Sequence, residues 1–188
     1  MKFCSYCGSG EIEFKIPQGD NRLRYTCIQC EAIFYENPKI VAGCIAQWED
    51  KILMCKRAIE PRLGTWTLPA GFMENRETMQ EAALRETYEE ATAEVTNLEL
   101  YAIYNLPHIS QVYVIFRGDV VAGVASPGLE SLETVFMYEK DIPWSDLSFP
   151  IIDESLKLYF QDKEQDEFRL HTGEIRRLED KSMQIIRY

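Results

Sequence analysis

Between positions 77 and 90 the chain carries Glu77, Glu81, Glu86, Glu89 and Glu90 around a single arginine, Arg85. Thr78 followed three residues later by Glu81 has the form of a capping box. That spacing predicts a helix beginning near Met79 and leaves residues 71–77 as the loop that feeds it. On such a helix Glu86 stands three residues from Glu89 and four from Glu90. Like charges at those spacings destabilise a helix by a few tenths of a kcal/mol per pair, and the macrodipole disfavours anions near a helix C-terminus. Either the carboxylates are a solvated acidic face partly compensated by Arg85, or they are ligands of a hard divalent cation that turns their repulsion into binding. Leu84, Tyr88, Ala91 and Val95, at i, i+4, i+7 and i+11, are the expected core stripe, with Glu86, Glu89 and Glu90 on the opposite side.

A second constellation lies at the N-terminus, where Cys4 and Cys7 form one C-x-x-C pair and Cys27 and Cys30 another. A C-x-x-C turn brings two thiolates to one tetrahedral ion, and the separation of the pairs suits a four-cysteine zinc ribbon. Gly8 permits the tight backbone of the first knuckle; Glu31 takes that place in the second. Disulfides are the competing reading, weakened because the first residues lack the apolar stretch of a secretion signal and a reducing compartment keeps thiols free. Between the pairs Lys15, Arg22 and Arg24 are matched by Glu11, Glu13 and Asp20, so no basic patch invites nucleic acid. A structural or dimer-forming ribbon is expected. Cys44 and Cys55 sit singly in apolar runs and read as buried core thiols.

The elements that must position these groups are legible in outline. A length of 188 residues suits one enzyme domain with a small appendage. Asn37-Pro38 marks a break, which predicts a ribbon at 1–37, a main domain at 38–165 and a charged, extended or loosely packed tail at 166–188, with an ambiguous late strand at 183–186. Runs at 40–48 and 52–55, joined by a polar turn, read as a hairpin whose second strand delivers Lys56 and Arg57. Further strands are expected at 66–71, 98–104, 111–116 and 135–138, and a second helix at 153–160. Strands interleaved with a long and a shorter helix suggest an α/β fold, a mixed sheet between helices. No uncharged apolar run approaches a membrane span, so no membrane partner and a cytoplasmic location are expected. The net charge of −11, from 20 basic and 31 acidic residues, argues against nucleic acid as the main partner. A small phosphorylated substrate met through metal ions escapes that objection.

Gly71, Glu77, Arg85, Glu86, Glu89 and Glu90 together resemble the Nudix box, the signature of hydrolases that cleave nucleoside diphosphates linked to another group. The resemblance implies an α/β/α sandwich with a mixed sheet, preceded here by the zinc ribbon. It also implies Mg2+ or Mn2+ held by Glu86, Glu89 and Glu90, with Arg85 orienting the carboxylates. The family pattern expects an aliphatic residue, a glycine and a closing aliphatic where Thr87, Thr92 and Ala93 stand, and Thr92 puts the helix C-terminus in question. The order of ribbon, residues 55–61, 64–71 and 127–133 is similar to a Nudix subgroup associated with pyrophosphate cleavage in FAD and ADP-ribose. NADH pyrophosphatases also join a ribbon to a Nudix domain, but their Ser-Gln-Pro-Trp-Pro-Phe-Pro element is absent from residues 105–111. FAD is therefore the expected substrate, ADP-ribose its close competitor, and NADH or an NAD cap second; a homodimer is expected.

Arg57 would grip a phosphate bidentately or pair at the surface with Glu60. A general base distinct from the box would come from the loop at 128–133, with Glu133 preferred. Trp66 and Phe72 read as core or loop anchors, Tyr113 and Phe116 as strand core, and His108 and His171 as solvent-facing loop residues without relay neighbours. Two rivals stand beside the hydrolase. A Nudix-fold ligand sensor commonly loses the glutamates that are kept here, and a ribbon module acting on capped RNA is disfavoured by the acidic balance.

Overall fold

In the first 37 residues three short strands carry the cysteine knuckles: β1 (Ile12–Lys15) pairs antiparallel with β2 (Arg24–Cys27), and β2 with β3 (Ile33–Phe34). Apolar packing here is thin. Tyr6 lies on Phe34 and Phe14 on Tyr25, yet Phe3, Tyr6, Phe14 and Ile16 are all exposed. A unit of this size with so little buried surface needs a covalent or metal staple to hold its fold. The computed structural model describes residues 1–188 and separates into Met1–Asn37 and Pro38–Tyr188, at the Asn-Pro turn.

The second unit is built on one mixed sheet. β4 (Lys39–Trp48) and β5 (Lys51–Arg57) form the expected hairpin; β6 (Trp66–Thr67) adds to β5 and β7 (Ala70–Phe72) to β4. After helix α1 (Met79–Ala91) come β8 (Val95–Leu106), β9 (Gln111–Val120) and β10 (Ser131–Met137), then helix α2 (Pro150–Gln165) and strands β11 (His171–Arg177) and β12 (Met183–Arg187). The order across the sheet is β10-β5-β4-β9-β8-β11-β12, with β4–β9 and β8–β11 parallel and the other pairs antiparallel. One face packs on α2 through Ile151, Ile152, Leu156 and Tyr159 against Tyr101, Tyr104 and Ile115. The other packs on α1 through Ala82 and Ala83 against Ala42, Val114 and Phe116, and through Ala91 against Cys44 and Cys55. The result is the α/β/α sandwich.

The capping box forms as the spacing predicts: Thr78 N–H donates to Glu81 Oε2 at 2.7 Å, and Glu81 N–H to Thr78 Oγ1 at 3.2 Å. The expected core stripe is corrected. Ala91 is buried as expected, but Leu84 and Tyr88 are exposed and Val95 opens β8; the helix docks through Ala91 together with Ala82, Ala83, Thr87 and Glu90. Small side chains let α1 approach the sheet closely, which carries Glu90 to the buried side rather than the solvent side. Buried Thr87 is satisfied by donating to Ala83 O at 2.7 Å.

The tail is corrected as well. α2 runs on to Gln165, β11 joins β8 in parallel, and β12 returns along β11. Two buried carboxylates on α2 fasten these strands. Glu154 accepts two bonds from Arg187, at 2.7 and 3.1 Å, and one from Tyr104 at 2.9 Å. Asp162 accepts from the Tyr101 hydroxyl at 3.0 Å and lies 2.7 Å from His171 Nε2. His171 is thus a largely buried strand residue rather than a solvent-facing loop one, while His108 is exposed in a short 3-10 turn. No helix is long and apolar enough to cross a membrane.

Candidate active site

β7 meets the middle of α1 at Gly71, where a Cβ would fall on the Glu86 carboxylate. Glycine leaves the Glu86 carboxylate its place beside the strand, which a larger residue would force it to vacate. Arg85 then gathers the loop and the helix. Its Nε and Nη2 bind the two oxygens of Glu77 at 3.0 and 2.8 Å, and Nη2 also donates to Phe72 O at 3.1 Å. Its Nη1 is shared between Glu86, at 2.7 Å, and Glu89, at 2.9 Å. The Arg85 guanidinium, helped by the Glu74 N–H, holds the Glu77 carboxyl down at about 2. Glu77 is therefore a permanent anion that anchors the arginine, while one nitrogen serves both helix glutamates.

Glu90 differs from its neighbours. It is 6% exposed and forms no ion pair. Burial first, then the charge of Glu86, pushes its carboxyl up to about 8, with Arg57 pulling the other way. Glu86 is raised in the same direction, again chiefly by burial. Glu89 is exposed. A buried carboxylate without a cation is costly to ionise. Hard oxygen donors beside a glycine-made space, one of them kept uncharged for want of a positive partner, fit a magnesium- or manganese-type ion.

Arg57 stands at the end of β5. It makes no ion pair with Glu60; its Nε donates to Pro61 O at 2.9 Å, its guanidinium lies 5.4 Å from the Phe149 ring centroid, and its Nη groups bind no protein acceptor. Its charge reaches both Glu90 and Tyr113.

The structure does not bring Glu133 to the cluster. A bulge in β10 between Ser131 and Glu133 pairs Glu133 with Lys56, whose ammonium is 3.9 Å away. Cys55 packs on the α1 side, so Lys56 and Glu133 point to the other face, toward Trp66. Glu130, three residues earlier, is the loop acid whose charge bears on Glu86 and Glu90. The bulge that inverts the alternation leaves no local mark in sequence. Trp66, Tyr113 and Phe116 are core residues, but Phe72 is not: its ring is half exposed, with Lys39 Nζ 5.0 Å from its centroid. Neither of the cavities of about 400 and 300 Å3, one beside Tyr138 and Phe160 and one beside Asp162 and His171, touches the glutamates.

In the ribbon, Cys4 Sγ lies 3.6 Å from Cys30 Sγ and Cys7 Sγ 3.6 Å from Cys27 Sγ, with all four sulfurs within 4.8 Å of one another. None is in a disulfide. Four thiolates at about 2.3 Å from one zinc ion stand about 3.8 Å apart, so the cluster has the size of a tetrahedral zinc site.

Comparison with known proteins matches both units of the chain. The NUDIX domain family matches residues 37–142, and the zinc-ribbon family described as Nudix N-terminal matches residues 2–36. A NUDIX hydrolase from Nitrosomonas europaea, known from its crystal structure, is 50% identical with a TM-score of 0.90, covering 94% of this chain and 99% of that one. An NAD-capped RNA hydrolase NudC from Edwardsiella ictaluri is 29% identical over 74% of this chain and 52% of the relative. An ADP-ribose pyrophosphatase from Methanocaldococcus jannaschii is 30% identical over 58% of this chain and 67% of the relative. The chain thus spans about half the length of the NudC relative.

Proposed function

The chain belongs to the Nudix family, and from that premise we propose that it hydrolyses the pyrophosphate bond of a nucleoside diphosphate derivative by attack of water. The observation that carries this reading is the buried Glu90 carboxylate, which has a backbone hydrogen bond from Ala70 but no ion-pair partner, within reach of the charges of Glu86 and Arg57. A magnesium or manganese ion held by Glu86, Glu89 and Glu90 supplies charge neutralisation for the pyrophosphate and acidifies the attacking water. Arg85, fixed by Glu77 and Phe72 O, holds the helix carboxylates in place without leaving its own anchor. The uncommitted Nη groups of Arg57 bind a phosphate oxygen and stabilise the charge that builds on the leaving phosphate. Glu130, the loop acid whose charge bears on Glu86 and Glu90, takes the proton of the attacking water.

The substrate expectation shifts with the comparisons. ADP-ribose and an NAD-capped RNA end, for which the curated relatives are named, stand at least level with FAD. All share an adenosine diphosphate half, which the carboxylates and Arg57 can serve alike. An NAD-capped RNA end is favoured by the NudC relatives and opposed by the net charge of −11. The test is a product-resolved screen of ADP-ribose, FAD, NADH and an NAD-capped oligoribonucleotide in labelled water, with magnesium and with manganese. AMP, or AMP-ended RNA, should form with label in one of the two product phosphates. The best substrate should exceed the next by about tenfold or more in kcat/KM, a gap of roughly 1.4 kcal/mol. Zinc-loaded protein that cleaves none of them with either metal would refute the reading.

A further inference from the structure

Thr92 stands where the Nudix pattern has glycine, and it adopts the left-handed backbone such a helix end requires, φ 46° and ψ 28°. β-Branched residues avoid that region. Backbone capping does not need the side chain, since the Thr92 N–H reaches Tyr88 O at 2.7 Å by itself. What threonine adds is a hydroxyl, which donates to Ser126 O at 2.6 Å and shares a second hydrogen bond with Ser126 Oγ. Ser126 N–H then donates to Ala91 O at 2.8 Å and Gly128 N–H to Glu90 O at 2.9 Å, filling carbonyls that a helix end leaves free. A Cβ at Gly128 would overlap Glu89 O, so the loop lies directly on the end of α1. Further along the loop, Glu130 O accepts from Ala58 N–H at 2.8 Å, next to Arg57.

Residues 126–131 are therefore fastened at one end to the helix that bears Glu89 and Glu90 and at the other to the strand that bears Arg57. Glu130 is itself the strand-side fastening, through its backbone carbonyl. We propose that Thr92 is a positioning residue, whose hydroxyl latches this loop to the end of α1 and so fixes the backbone that carries Glu130. The catalytic consequence rests on the hydrolase reading above, whereas the latch is a property of the metal-free fold.

Thr92→Gly separates the latch from simple capping, because glycine suits the left-handed backbone better but loses the side chain that carries the hydroxyl, which Thr92→Ser keeps. Amide exchange at Ser126 and Gly128, measured without added divalent metal, should accelerate about tenfold or more while the melting temperature holds or rises. With metal and substrate, kcat should fall about tenfold with KM within about twofold, as expected for a displaced proton acceptor. Thr92→Ser should restore both exchange and kcat. Unchanged exchange at the two amides, or unchanged kcat in Thr92→Gly, would overturn the proposal. Wild-type protein that hydrolyses nothing would refute the hydrolase reading instead, and the exchange measurement would still decide the latch.

Discussion

The four cysteines and the three helix glutamates are the two ligand sets proposed for this chain, and they are prepared in opposite ways. The thiols converge on one point, every sulfur within 4.8 Å of the others, in a unit that buries little apart from Cys4 and Cys27. The glutamates do not converge. Glu86 and Glu89 lean on Arg85 while Glu90 sits apart and buried. A ligand set whose ion is the fold's core must be complete, whereas one whose ion comes and goes with substrate needs a resident cation to hold its charges meanwhile. Arg85 is that cation, and Glu77 keeps it from leaving.

The contrast breaks most visibly at the ribbon. Cys27→Ser should lose the zinc, about one ion per chain in the native protein, and with it folding free energy on the order of 10 kcal/mol. The first 37 residues should become protease-sensitive while residues 38–188 melt as before. Retained zinc, or a ribbon still protected without it, would show that the knuckles hold themselves together.

At the glutamates the effect should be kinetic. Glu90→Gln should lower turnover on the order of a thousandfold or more, about 4 kcal/mol of transition-state stabilisation, with the fold intact. The metal-free melting temperature should stay level or rise, since a buried, unpaired acid is gone. Near-normal activity in purified Glu90→Gln would remove the carboxylates from the chemistry.

Between the two loop acids the comparison sharpens. Glu130→Gln should cost about a hundredfold in kcat, and Glu133→Gln, which only frees Lys56, less than about threefold. The reverse order would restore the residue that sequence alone prefers.

The smallest effect is on stability against pH. Glu90 is raised in the fold from 4.5 to about 8, so its protonated form favours the folded state. That contribution is fully present below pH 4.5 and is lost as pH rises to about 8. Glu86 acts in the same direction; Glu77, lowered to about 2, matters only at more acid pH. Denaturant titrations of metal-free protein should therefore show stability falling across that window, a slope that Glu90→Gln flattens. An identical slope in the variant would place its origin elsewhere.

What sequence made legible was local chemistry: the C-x-x-C knuckles, the capping box of Thr78 and Glu81, the hairpin turn at Glu49. What it hid was set by distant partners. Leu84 and Tyr88 outrank alanine on any hydrophobic scale, yet α1 docks through its alanines because closeness to the sheet, not apolar area, places Glu86 beside Gly71. The charged tail reads as extended or loosely packed, with an ambiguous late strand, until Glu154 and Asp162, on a different element, are seen to hold Arg187 and His171. Glu130 and Glu133 differ only by a bulge that no residue type announces.

The most direct test of the two kinds of metal site is to dialyse the protein against a mild chelator, then measure metal content and pyrophosphatase rate on the same sample. About one zinc per chain should remain. Activity should vanish and return with added magnesium or manganese but not with zinc alone. Zinc lost together with activity, or hydrolysis persisting without any added divalent ion, would contradict the division of labour between cysteines and glutamates.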